Sequence, residues 1–306
     1  GPGNLQTEYL VLAIAKFKPT GNPTKLFELI RKHFKPLQHK YGWGTNPYYY
    51  LAGEHEIHPS YIQEMLTDSR YSDEDILAVI DYLIVEGGNK FCFNTLETAR
   101  HFYSNESKGS WCPADMIEGR DVLIIGTGPG GQEHRKAIEI YIKNNRPFVI
   151  ALNTQKTISE ELIDVRAACH PVRLLTDCHE YLTLPQPLIS PVSMLPADVK
   201  QALEKKELLD FGIQIKSEEF GFNASHCILP SALVIVYALA IATSGKSKKI
   251  LFTGFDGYGA DDPRTKEVDT FLKLYKKTSG SLPIVSLTAT RYDLTTQSIY
   301  AAEVLM

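Results

Sequence analysis

The chain has 306 residues, 43% of them hydrophobic and 22% charged, with a formal net charge of −4. That length suggests about two domains, the apolar content excludes disorder as the main state, and the charge balance gives no sign of a nucleic-acid or anionic-membrane partner. Five scattered cysteines, an odd number, suit a reducing cytoplasm better than a disulfide framework, and the longest apolar run, Ala232 to Ala242, is too short to span a bilayer.

In chain order, Gly1-Pro2-Gly3 has the look of a protease-cleavage remnant and is set aside. A chain that opens this way is expected to be part of a longer polypeptide. Thr7 and Glu8 precede an apolar run from Tyr9 to Ala15, and Thr24 can cap a helix carrying Leu26, Phe27, Ile30 and Phe34 at helical spacing. The stretch Tyr41 to Leu51 reads as an aromatic connector. Pro59 sits just inside a helix start at His58, with Tyr61, Ile62, Met65 and Leu66 as its apolar face. Ser72 and Asp75 form a variant capping box ahead of Ile76, Val79, Ile80 and Leu83, and Thr95 opens another short helix. Residues 4–103 therefore read as a small all-α domain.

Residues 104–117 begin polar, small and turn-prone and read as a linker; Trp111-Cys112-Pro113 within it is expected to pack back on a domain. From residue 118 to 306 buried strands alternate with helices. The predicted strands are Val122–Gly126, Phe148–Leu152, Val172–Leu175, Leu188–Val192, Gly212–Lys216, Ile250–Thr253 and Ile284–Leu287. The predicted helices are Gln132–Lys143, Ser159 to about Ala167, Ala197–Lys205, Ser231–Thr243 and Thr265–Lys277. This pattern predicts an α/β fold, a Rossmann-like parallel sheet with helices on both faces, whose ligands bind beyond the carboxyl ends of the strands.

The sharpest motif follows the first of these strands. Gly126, Gly128 and Gly131, with Thr127, Pro129 and Gly130 among them, match GxGxxG between a strand and a helix. Glycines there let backbone N–H groups approach an anion, with the helix end adding a favourable dipole; the bland alternative is a tight turn without a ligand. A nicotinamide dinucleotide site would carry an acid about 20 residues on. Asn153 stands there instead, which counts against NAD and suits a sugar or base, or a simple turn. Asp256, at the end of a late strand in Thr253-Gly254-Phe255-Asp256, is a candidate catalytic carboxylate. Asp256, Asp261 and Asp262 could hold Mg²⁺ through oxygen ligands, or be a solvated loop capping the next helix. The second is preferred, and no residue is assigned to a metal.

Cys169-His170, Cys178-His179 and His226-Cys227 match no zinc spacing and read as buried thiols and loop histidines. His226 is a candidate base in a loop. Ser231 could contact a ligand or cap the helix it opens. His134 reads as a solvated helix face near a phosphate site. Arg291 suits a phosphate or carboxylate, with a surface ion pair as the alternative.

Two resemblances arise from these residues. Gly3-Asn4-Leu5-Gln6-Thr7-Glu8 resembles the end of a TIM-barrel aldolase of the DRE-TIM metallolyase family, the 4-hydroxy-2-oxovalerate aldolase-like group. Tyr41 to Gly44, Tyr48 to Tyr50 and Ile57 to Ile62 resemble the helical region that follows the barrel in aldolase-like proteins of bacterial surface-polysaccharide loci. The likeness covers residues 3–103 and implies an upstream barrel on the same polypeptide; the family's metal and catalytic residues lie on that barrel, so no aldol site carries over.

The α/β half resembles Rossmann-like glycosyltransferases typified by bacterial CMP-sialic acid-dependent sialyltransferases, together with the flagellin-glycosylation and pterin pyrophosphokinase-like groups. Gly126-Thr127-Gly128-Pro129, Asn153, the helix from Ser231 and the Thr253 to Asp256 turn carry it. It implies that Gly126, Thr127, Gly128 and Asn153 hold a nucleotide. Those sialyltransferases have Asn in place of Thr127, and a histidine base beyond the Gly-x-Asp turn, where this chain has none.

The expected function is thus a nucleotide-sugar-binding, glycosyltransferase-like domain of an aldolase-family polypeptide in bacterial surface-glycan synthesis, with a CMP-sugar or another nucleotide as substrate and Mg²⁺ as a possible cofactor. The alternatives are a non-catalytic nucleotide-binding or channelling module of the aldolase, a pyrophosphokinase-like enzyme, and, least favoured, an NAD-dependent dehydrogenase. A homodimer is compatible with the sequence.

Overall fold

The computed structural model describes residues 7–18, 24–41, 44, 46–57, 59–67, 76–77, 80, 84, 109–170, 173–174, 177–195, 197–259 and 262–301. The chain divides into two compact units, residues 1–93 and 94–306. The capping box at Ser72 and the helix opening at Thr95 lie outside the described residues.

In the first unit, Thr7–Ile14 is helical and buries none of its residues. Thr24–Leu29 continues through a π-helical segment, Ile30–Phe34, into the helix Lys35–Tyr41. The Lys35 N–H donates five residues back to the Ile30 carbonyl. Pro36, which has no N–H to give, follows directly, so the wider turn falls where the ordinary ladder would break. The predicted aromatic connector is a helix from Pro47 to Glu54. Its start was legible in Asn46-Pro47: the Asn46 Oδ1 accepts the Tyr48 N–H at 2.8 Å, and proline is preorganised at the first helical position. Tyr49 and Ala52 of that helix are buried, as are Ile57, Tyr61, Ile62 and Met65 in and before the helix Pro59–Thr67.

The second unit is an α/β fold built on an eight-stranded sheet. Its strands are β1 (Val122–Ile125), β2 (Phe148–Leu152), β3 (Val165–Ala167), β4 (Leu188–Ser190), β5 (Leu208–Asp210), β9 (Ile250–Thr253), β10 (Ile284–Ser286) and β11 (Thr295–Thr296). They lie in the order β11-β10-β9-β1-β2-β3-β4-β5, with every pairing parallel. The chain runs outward from β1 to β5, then returns to build the other side from β9, so the topological switch point falls between β1 and β9. A second sheet of order β6-β8-β7 comprises β6 (Gly212–Ile215), β7 (Gly221–Phe222) and β8 (His226–Leu229).

Both faces of the large sheet are covered, which is why β1, β2 and β9 are buried along their whole length. On one face Leu123, Ile125, Val149, Ala151 and Leu251 meet Ala137, Ile138, Tyr141 and Ile142, the inward stripe of the helix Arg135–Asn145. Elsewhere the helix Val234–Ser244 buries every residue from Ile235 to Thr243, as an all-round apolar helix must. It packs against β2 and β3 and against β7 and β8. Its Thr243 hydroxyl meets the Tyr275 hydroxyl of the helix Pro263–Lys277 at 2.6 Å, and the Phe220 and Phe222 rings meet Tyr275 edge-on.

Several sequence expectations change here. The helix predicted from Gln132 is two, Pro129–Glu133 and Arg135–Asn145, parted at His134. The helix expected from Ser159 is only a 3₁₀ turn, Glu160–Leu162, followed by strand β3. β-Branched Ile163 and Val165 favour the strand. The Ser159 N–H and hydroxyl are both spent on Glu139 Oε1, each at 3.0 Å. Of the strand predicted at Val172–Leu175, residues 173 and 174 are helical, the Leu174 N–H donating to the His170 carbonyl at 2.9 Å. The helix Cys178–Thr183 and strands β5, β7 and β8 had no counterpart in the prediction. Residues 109–117 belong with the sheet: the Ser110 and Trp111 N–H groups donate to the Asp210 carbonyl at 3.0 and 2.9 Å, Trp111 meets Phe211 edge-on, and Ala114–Ile117 is a helical turn. Among the described residues no helix is long and apolar enough to cross a membrane.

Glu139 gives this face a measurable acid sensitivity. Its partial burial would raise its pKa, but hydrogen bonds from Arg135 and Ser159 outweigh that and hold the carboxyl below the ordinary glutamate value. A depressed folded-state pKa adds stability that is full above the unfolded value of about 4.3 and is lost as pH falls through the folded value. Glu139→Gln is therefore expected to be less stable than the parent at pH 6. The gap should close as pH falls below about 4, followed by urea unfolding at each pH. A gap that does not change with pH would show that it does not come from the ionised carboxylate.

Candidate active site

The site is built where β1 and β9 end side by side. The Gly126 N–H donates to the Thr253 carbonyl at 2.9 Å and the Gly128 N–H to the Gly254 carbonyl at 2.8 Å. Two glycine turns are thereby laced together. A Cβ on Gly126 would lie 2.5 Å from the Gly254 carbonyl oxygen, and one on Gly128 2.7 Å from it, closer than atoms can pack. Gly254 itself has φ of +69°, a conformation glycine adopts without strain, and its N–H donates to the Thr288 hydroxyl at 3.2 Å.

Asp256 completes the junction. Its carboxylate accepts the Gly130 N–H at 3.0 Å through Oδ1 and 3.1 Å through Oδ2. The first N–H groups of a helix have no partner within it, and a carboxylate there is electrostatically favoured. Cβ atoms on Gly128 or Gly130 would come within 2.2 and 2.4 Å of the Asp256 carboxylate oxygens. This corrects the sequence expectation for the glycine loop. The N–H groups of Gly126, Gly128 and Gly130 are not open to an external anion; they serve Thr253, Gly254 and Asp256, and the glycines are needed because the two turns touch. Gly131, whose N–H returns to the Gly128 carbonyl, faces the Thr157 methyl, which would lie 3.2 Å from an added Cβ. Thr127 is exposed at the tip of the turn.

Arg291 joins from beyond β10. Its N–H donates to the Asp256 carbonyl at 3.0 Å and its Nη1 to the Tyr258 carbonyl at 2.7 Å, so a cation is held on the Asp256 loop with its side chain exposed. The residues after Asp256 shape this loop: Asp262 caps the helix Pro263–Lys277 by accepting the Arg264 N–H at 2.9 Å, and the Arg264 guanidinium lies over the Tyr258 ring at 4.1 Å. Among the described residues no group of three or more His, Cys, Asp or Glu side chains could hold a metal ion.

Asn153 follows β2 directly and lies in the left-handed region, with φ of +51°, a conformation asparagine tolerates. Its turn reaches the glycine loop through Gln155, whose Nε2 donates to the Gly126 carbonyl at 3.2 Å and whose Oε1 accepts the Thr157 N–H at 3.1 Å. Gln155, Thr157 and Gly254 were missed as site residues in the sequence; Gln155 could have been noticed, since it stands two residues beyond Asn153 in the same turn.

The remaining candidates are placed elsewhere. Ser231 does not cap its helix, whose N-cap is Leu233; it adjoins Ala232, whose carbonyl accepts the Cys169 thiol at 3.3 Å just beyond β3. His226, expected in a loop, is the first residue of β8 opposite Gly212 in the second sheet. Cys169, Cys178 and Cys227 are buried, and burial pushes the Cys227 thiol up. His134 meets the Tyr300 hydroxyl through Nδ1 at 3.0 Å. The structure thus unites Gly126, Gly128, Gly130, Gly131, Asp256 and Arg291, links Asn153 to them through Gln155, and sets His226 in a different sheet.

No protein-family model and no curated protein matches the chain. Among solved structures it is similar to the MAf glycosyltransferase from Magnetospirillum magneticum AMB-1, at 11% sequence identity and a TM-score of 0.48, over 92% of this chain and 51% of that one. The chain thus spans about half the length of that protein.

Proposed function

We propose that the α/β unit binds a nucleotide-activated sugar at the carboxyl ends of β1, β2 and β9 and transfers the sugar, with a CMP-linked acidic sugar as donor. One observation carries this: a carboxylate, Asp256, and a cation, Arg291, are joined by a backbone hydrogen bond at 3.0 Å at the sheet's switch point, where open α/β sheets take ligands. Asp256 would accept the proton of the attacking hydroxyl. Arg291 would stabilise the departing phosphate, with the Thr127 hydroxyl and the Asn153 amide contacting the nucleotide. The fixed Asp256 charge favours a donor with a single phosphate. A diphosphate donor would bring more negative charge beside that carboxylate and would need Mg²⁺ to offset it. His226 has no part in this scheme.

The satisfied N–H groups of the glycine loop favour a second reading, a non-catalytic nucleotide-binding module that regulates or channels for an aldolase. In either case the placement in bacterial surface-glycan synthesis, on a polypeptide that also bears an aldolase barrel, rests on the sequence resemblance in residues 3–103. A thermal-shift panel with CMP, CDP, UDP, GDP, ATP and NAD, with and without Mg²⁺, tests the nucleotide class, because a ligand of the native state at 100 times its Kd stabilises by about 2.7 kcal/mol. The expected result is a shift with CMP that does not need Mg²⁺. A shift with NAD alone would refute the proposal, and no shift with any nucleotide would refute both readings.

A further inference from the structure

Arg166 is out of character with its surroundings. It stands in the middle of β3, paired with Ala151 of β2 and Leu188 of β4, and its side chain is fully buried. Its hydrogen bonds go to neutral oxygens: Nε to Gln186 Oε1 at 2.8 Å, and Nη1 to the carbonyls of Asn153 at 3.2 Å and Gln155 at 2.7 Å. Nη2 has no hydrogen-bond partner among the described residues. Burial also holds its pKa below the usual arginine value. A buried guanidinium without a bonded carboxylate costs stability that an apolar side chain of similar volume would not, so packing alone does not account for it.

Its bonds converge on one feature. Asn153 and Gln155 are the turn at the end of β2, and the Gln155 side chain continues to the Gly126 carbonyl at 3.2 Å. On the opposite side Gln186, which orients Nε, is itself fixed by its Nε2 donating to the Glu160 carbonyl at 2.7 Å. The guanidinium is thereby held in plane while Nη1 reaches two carbonyls at once, a fork that an ammonium cannot reproduce.

We propose that Arg166 is a positioning residue: through the carbonyls of Asn153 and Gln155, and through Gln155 to Gly126, it sets the placement of Asn153 against the glycine turn. Its consequence for ligand binding rests on the nucleotide site proposed above; its mechanical part does not. Arg166 touches no ligand in this scheme. It fixes the two turns between which the nucleotide would lie, so its loss loosens the site before it unfolds the sheet.

Hydrogen exchange on the unliganded protein separates this from a merely structural role. In Arg166→Lys, amides of residues 153–157 and 126–131 are expected to exchange about tenfold faster, while amides of β1, β2 and β9 keep their protection. In Gln155→Leu, which leaves the Arg166 bonds to the backbone carbonyls available, only residues 126–131 and Thr157 should quicken. Turn and strand amides losing protection in parallel, or neither changing, would overturn the proposal. Should Arg166→Lys fail to fold, Gln155→Leu decides alone: an unchanged glycine turn overturns it. With CMP as probe, a parent that shifts and an Arg166→Lys variant whose affinity falls about tenfold extend the role to binding, and an equal affinity refutes that extension. A parent with no nucleotide shift removes the nucleotide reading and leaves the exchange result to judge Arg166.

Discussion

Gly130→Ala is expected to destabilise the α/β unit by about 2 kcal/mol, and Asp256→Ala in the same chain to remove most of that cost. The added methyl would lie 2.4 Å from Asp256 Oδ1, and the three atoms nearest to it all belong to the Asp256 carboxylate. Without that carboxylate its three nearest contacts are gone, and alanine is the better helix residue by about 1 kcal/mol. Asp256→Ala alone should cost about 1 kcal/mol, the loss of an acceptor at a helix start. Gly128→Ala behaves differently. Its methyl would meet Asp256 Oδ2 at 2.2 Å but also the Gly254 carbonyl oxygen at 2.7 Å, and backbone cannot swing away. A cost of about 3 kcal/mol is expected for Gly128→Ala, and much of it should survive in the Asp256→Ala background. Urea unfolding of the three single and two double variants against the parent reads these terms. Equal costs for Gly130→Ala with and without Asp256 would show that the carboxylate does not occupy the helix start in solution.

The same junction shows how far the sequence could be read. Glycines at 126, 128 and 131 between a strand and a helix were visible as a motif, and Asp256 as the end of a later strand, because each depends on local pattern. That the two turns are laced together, and that Asp256 takes the N–H an anion was expected to take, depends on β9 lying beside β1, which brings Asp256 to a glycine 126 positions earlier in the chain. No spacing encodes that. The parallel sheet was likewise legible wherever a strand is buried on both faces, as in Val122–Ile125, Phe148–Leu152 and Ile250–Thr253. Short edge or second-sheet strands were not: Leu208–Asp210 and Gly221–Phe222 are partly exposed and only three and two residues long, too brief for any period to show. β3 is hidden in the sequence because Ser159 and two glutamates imitate a helix start, whereas the serine is bound to Glu139 from the preceding crossover. The same false helix start takes in Val165-Arg166-Ala167, so nothing in the sequence marks Arg166 as a fully buried strand residue. His226 reads as a loop base because the turn residues Asn223 and Ser225 before it hide a four-residue strand.

Asp256→Asn is expected to lower turnover of a CMP-sugar donor by a factor of about 10² to 10⁴, the usual worth of a positioned base, while leaving the protein folded and CMP bound. The amide is nearly isosteric and its oxygen can still accept the Gly130 N–H, now 3.0 Å from the carboxylate. Stability should therefore change by no more than about 1 kcal/mol. Binding should hold or tighten, because the variant removes a negative charge from beside the phosphate that Arg291 is proposed to receive. That combination, slower turnover with undiminished CMP affinity, separates a base from a structural cap: a cap would lose stability and affinity together with rate. Arg291→Gln should give the opposite split, weaker CMP binding with the Asp256 carboxylate intact, since its backbone bond to the Asp256 carbonyl does not depend on the side chain. Release of free CMP from the donor, followed with and without an acceptor hydroxyl, gives the rates. Parent and Asp256→Asn turning over alike would remove Asp256 as the base. A parent that binds CMP but releases none from any donor would leave the α/β unit as a nucleotide-binding module.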